Sequence, residues 1–158
     1  MKIVWTEDWA WGLGLTAFTI MAHSAALIGI TEPLGRLGVS LRRLRGRRSA
    51  SVAIAILFMG MVGLLVAILH GAWSVVWAIA YVKLGALPRF SDAIFYSVDS
   101  LSARGASGLE LARSWRLLGA LEAANGLLLF GISTAFLAVM IAEVRNRLFP
   151  GPSLAPHT

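Results

Sequence analysis

Residues 90–108 read FSDAIFYSVDSLSARGASG. The left half places Ala93, Ile94, Tyr96, Ser97 and Leu101 at helical spacing. Ser91 is a residue type that caps helices, and Asp92 stands in the first turn, where an acid meets the positive end of the helix dipole. A helix of about three turns cannot cross a bilayer, which takes about 20 residues. The right half is a loop of small residues around one arginine, Arg104. Between two membrane spans, a short helix followed by such a loop reads as a re-entrant segment. Non-helical backbone at membrane depth is tolerated only where it is buried in protein or lines a watery cavity, so the pattern points to a pore.

The flanking segments are long and apolar. The 158-residue chain is 58% apolar and 14% charged, against about 25% charged in soluble domains, and its mean hydropathy is +0.76. Residues 9–30, 50–82 and 115–142 each meet the length of a membrane helix. Glu7 and Asp8 precede the first, where a signal peptide would carry basic residues. With no cysteine, no disulfide framework or thiolate metal site is possible. The fold class is therefore an all-α membrane protein of three transmembrane helices plus a re-entrant pore helix and loop.

Arginine sets the orientation. The first connection holds Arg36, Arg42, Arg43, Arg45, Arg47 and Arg48, and Arg145 and Arg147 follow the third span. The positive-inside rule puts both in the cytoplasm, with the N-terminus outside, in a plasma or inner membrane. The net charge of +6 is thus a topology signal, and nucleic acid is not expected as a partner. Trp73, Trp77 and Tyr81 fit an interfacial aromatic belt. The Pro-rich tail 148–158 reads as disordered.

The stretch 90–108, followed by WRLLGALEAANGLLLFGISTAFL at 115–137, resembles the pore domain of tetrameric potassium channels, in particular small bacterial two-transmembrane channels. The resemblance covers residues 51–145. It implies an outer helix at 50–82, a pore helix at 92–102, a filter-like loop at 103–108 and an inner helix at 115–147, assembled as a homotetramer. Residues 1–33 are then an additional helix, and 34–49 a cytoplasmic Arg-rich loop. The family filter resembles T-V-G-Y-G-D, whose backbone carbonyls replace the hydration shell of potassium. Here the aligned residues are Ala103, Arg104, Gly105, Ala106, Ser107 and Gly108. A threonine hydroxyl, an aromatic brace and a glycine are replaced, which implies weak or altered selectivity. The resemblance assigns filter support to the end of the pore helix, at Asp99, Ser100 and Ser102. Arg104 has three arrangements open to it: folded back onto Asp99, facing the axis, or reaching outer water toward Glu110.

On the third span, Glu122, Asn125, Gly126, Leu129, Ser133, Phe136, Met140, Glu143 and Arg147 share one face. Glu122, Asn125 and Ser133 are read as a pore-facing wall, the alternative being a face that packs on other helices. Gly126 and Gly131 are candidate hinges, the alternative being close packing. Gly63, Ala67 and Gly71 form a small-residue ridge suited to helix contact. His23 and His70 read as hydrogen-bonded packing residues, with no metal set and no cofactor. No acid/base or nucleophile constellation is present, so no enzyme is expected. The expected function is a pore-forming channel subunit of unknown permeant ion. The alternative is a non-conducting or regulatory subunit that assembles with other channel subunits.

Overall fold

The structure, a computed structural model, describes residues 7–43, 48–105 and 108–149 (for 32–43 and 48–51 the backbone alone). Helix α1 spans Glu7–Arg43, α2 Arg48–Lys83, α3 Phe90–Leu101 and α4 Arg116–Leu148, the last entered through one 3-10 turn at Arg113–Trp115. Glu7–Thr31, Val52–Lys83 and Arg113–Leu148 are long and apolar enough to cross a membrane. Helices of this length satisfy their own backbone groups, which lipid cannot do. The protein is therefore an all-helical, membrane-embedded chain. The 12 residues of α3 extend only about 18 Å.

Three inward stripes hold the bundle together. On α1, Asp8, Gly12, Thr19, His23 and Leu27 are buried at helical spacing. On α2 the buried set includes Val62, Val66, Trp73, Trp77 and Tyr81. On α4 it is Leu118, Glu122, Asn125, Leu129, Ser133, Met140 and Val144. Helices α1 and α4 run the same way, because Gly12 meets Leu118 and Leu121 while His23 meets Ser133. A Cβ on Gly12 would collide with Leu121, so glycine permits this approach. Helix α2 runs against them, with Tyr81 at Glu122 and Val62 in one cluster with Met140. Helix α3 docks on α2 and α4, and Tyr81 and Tyr96 meet edge to face, 5.4 Å apart. The opposite faces, with Leu57, Leu64, Ile68, Leu127 and Val139, are open and apolar, as lipid requires.

Several expectations change. The Arg-rich stretch 34–49 is not a loop throughout, since α1 continues to Arg43 and α2 begins at Arg48. Arginine and leucine are good helix formers, and here they outweigh Pro33 and Gly35. Residues 44–47 and the tail from 150 lie outside the described residues. Trp73, Trp77 and Tyr81 form no outward belt: all three are buried in the bundle, where their rings fill space that smaller residues would leave empty. On the ridge of Gly63, Ala67 and Gly71, Ala67 and Gly71 are exposed, and among the described residues a Cβ on either glycine would meet nothing within 4 Å.

Candidate ion-pathway loop and its polar support

Helix α3 begins one residue before Ser91, so Ser91 is not its cap. Arg89 occupies the cap position, and its side chain makes no capping bond to the backbone N–H groups of the helix. Asp92 is held instead by the Arg89 Nε, at 2.8 Å. At its other end α3 closes in a Schellman motif. The Ala103 N–H donates to Ser100 O (2.8 Å) and the Arg104 N–H to Asp99 O (3.1 Å). Ala103 takes the left-handed conformation this needs, with φ of 56°, in a place where glycine is usual. The Ser102 hydroxyl adds a bond to Asp99 O at 2.9 Å. Beyond it, Gly105 and Gly108 also have positive φ, 64° and 72°. Ala106 and Ser107 lie outside the described residues.

Arg104 folds back. Its Nε donates to Asp99 Oδ1, pairing a carboxylate only 2% exposed with a guanidinium 63% exposed. The alternative partner, Glu110, is taken by Arg116 at 2.7 Å. The bond to Asp99 uses one edge of the guanidinium and ties the loop to the last turn of α3.

A single buried carboxylate joins three helices below this loop. Glu122 on α4 accepts from the Tyr81 hydroxyl of α2 at 2.5 Å, and from the Ser97 hydroxyl of α3. Ser100 donates to Gly119 O at 3.1 Å. Two glycines let α3 sit this close to α4. A Cβ on Gly119 would strike the Tyr96 hydroxyl, and one on Gly126 would strike the Leu101 carbonyl. Gly126 therefore permits close packing of α3 on α4, the alternative to a hinge, while Gly131 stands in open space.

The wall expected to face a pore at Glu122, Asn125 and Ser133 instead faces the chain's own interior. Asn125 Nδ2 donates to Thr19 Oγ1 at 2.9 Å. His23 lies between Trp73 and Ser133. The indole can only donate, so His23 Nδ1 accepts from Trp73 (3.1 Å) and Nε2 carries the proton toward Ser133 Oγ (2.8 Å). Polar groups on an apolar helix seek hydrogen-bonding partners, and α1 and α2 supply them. The residues missed in the sequence are Thr19, Trp73, Tyr81, Ser97 and Gly119. A signal for one of them was present: Thr19 stands four residues before His23, on one face of α1.

No protein-family model, curated protein or solved structure matches the chain.

Proposed function

We propose that this chain is a pore-forming subunit of a tetrameric, potassium-channel-like ion channel. Helix α2 is its outer helix, α3 a re-entrant pore helix, residues 103–108 a rebuilt filter, and α4 the inner helix. The observation that carries the reading is the anchoring of α3. A helix too short to span is wedged between two long ones, and its end is locked by Asp99–Arg104 and by Leu101 against Gly126. It delivers a loop containing glycines at positive φ. One chain offers one such loop, so a conduit needs several copies about a closed axis. With Arg104 drawn onto Asp99, the mouth carries paired charges instead of a ring of bare guanidinium groups, which would exclude cations. The filter selects weakly, because Ala103 has no hydroxyl to offer an ion. The Arg-rich connection is cytoplasmic and the N-terminus outside.

The test is ion flux from the purified chain in liposomes under biionic gradients. Flux with weak discrimination of potassium over sodium is expected. A strong potassium preference overturns the filter alignment. A tetramer silent across voltage, pH and lipid composition supports a second reading, a non-conducting subunit. The open face of α4 favours that reading. Leu127, Leu128, Phe130 and Val139 are exposed there, and the hydroxyl of Thr134 is turned to Phe130 O at 2.8 Å. A pore walled this way closes by dewetting.

A further inference from the structure

Five buried side-chain atoms have no hydrogen-bond partner among the described residues: Asp8 Oδ1, Thr16 Oγ1, His70 Nε2, Trp77 Nε1 and Asn125 Oδ1. All belong to one half of the bundle. Trp77 stands one turn from Tyr81, which reaches Glu122, and one turn from Trp73, which reaches His23. Asn125 bonds Thr19, one turn from Thr16, and Asp8 lies two turns further toward the start of α1. The His70 ring is 5.1 Å from that of His23, and its Nδ1 is 2.9 Å from Val66 O. Nδ1 therefore carries the proton and Nε2 is a lone pair. The other half is a cluster of Ala55, Phe58, Val62, Met140 and Val144, flanked by Ile54, Phe136 and Leu137. Among the described residues no buried polar side chain joins it, whereas in the first half the apolar cluster of Trp73, Trp77, Tyr81, Leu118 and Leu129 is interleaved with His23, Glu122 and Asn125.

The donor and acceptor character of the five atoms identifies the ligand. Asp8, Asn125 and His70 need a donor, Trp77 needs an acceptor, and Thr16 accepts either. The orientation of Asn125 is fixed, because Thr19 gives its own proton to the Leu15 or Thr16 carbonyl and must accept from Nδ2. A cation suits the three acceptors and is repelled by the indole N–H. An anion suits the indole alone. Water satisfies both, and buried groups of this kind are bridged by it.

We propose that each chain holds internal water along this column, from Asp8 to the histidine pair, and that the apolar cluster closes the far end. The result is a one-sided aqueous crevice within each subunit, separate from any conduit on a symmetry axis and independent of whether the protein conducts. Because the chain has no cysteine, single thiols can be introduced without a background. Thr16→Cys, Ser133→Cys and Ala55→Cys would be exposed to silver ions in reconstituted protein, and the unreacted thiol then counted after denaturation. The first two are expected to react faster than the third by an order of magnitude or more. Equal rates in variants that melt like the parent overturn the proposal. The unmodified protein gives a second measurement by X-ray hydroxyl-radical footprinting. Trp77 and Met140 are both buried, at 0% and 2% exposure. Oxidation of Trp77 with Met140 silent is expected, although methionine is the easier target, and a Trp77 as protected as Met140 overturns the crevice.

Discussion

Asp99 is almost wholly buried while its partner Arg104 is mostly exposed. The pair is therefore asymmetric: losing the arginine takes a charged partner from a carboxylate in the interior, while losing the carboxylate frees a guanidinium that water can still solvate. Arg104→Gln is expected to cost about 1.5–3 kcal/mol and Asp99→Asn less, because hydrogen bonds to charged groups are worth that much when one partner is left behind. The double variant should lose less than the sum, and strictly additive losses of melting temperature would reject the coupling. One residue away, Ala103 sits at φ 56°. An alanine held in the left-handed region costs about 1–2 kcal/mol, so Ala103→Gly should raise the melting temperature while keeping both Schellman bonds. A lower melting temperature would mean that the backbone there is not left-handed. Of these two features the sequence offered the first as one of three arrangements open to Arg104, beside the axis and outer water toward Glu110. A carboxylate and a guanidinium five residues apart, at the end of a short helix, have few other partners in an apolar setting. It did not disclose the second, because alanine carries no mark of positive φ.

At the scale of the helix, the α4 stripe was legible in its period but not in its partner. Glu122, Asn125, Leu129, Ser133 and Met140 recur on one face, and that face is the buried one. Periodicity says which residues share a direction; it does not say whether water or another helix lies there. A polar stripe in an apolar helix satisfies either reading until the helix that carries Thr19 and His23 is placed beside it. The same limit applied to the glycines. Gly126 and Gly131 are alike in sequence, yet a Cβ meets the Leu101 carbonyl at the first and nothing within 4 Å at the second. Gly126→Ala should therefore destabilise the chain markedly by forcing α3 away from α4, at about the 1–3 kcal/mol typical of overpacking. Gly131→Ala should be neutral, or stabilising by up to about 1 kcal/mol through helix propensity. Thermal melting of both variants in the same detergent checks this, and equal behaviour would return the hinge to consideration.

For the whole molecule, the question is whether α1 is an accessory to residues 50–147 or part of their fold. The resemblance treats it as an addition. The contacts argue otherwise, because α1 packs along α4 and supplies the partners of Asn125 and Ser133. A chain beginning at residue 48 would turn those two side chains toward lipid with nothing to bond. Interhelical hydrogen bonds in membranes average only about 0.6 kcal/mol each, so two lost bonds are a modest part of the damage. The larger part is the stripe of Gly12, Thr19, His23 and Leu27 that no longer packs. Truncation is accordingly expected to lower the yield of folded protein and its melting temperature. Adding Asn125→Leu and Ser133→Ala to the truncated chain should restore some of both, because removing the polar groups together with their lost partners leaves nothing unsatisfied. In the untruncated chain the same two substitutions should be harmful, since Thr19 would lose the donor it accepts from and His23 Nε2 its acceptor, each keeping only its other bond. This reversal of sign between the two backgrounds is the test, read by melting temperature and size-exclusion profile. A pair of substitutions that acts alike in both would show that α1 does not cover α4 by way of these bonds.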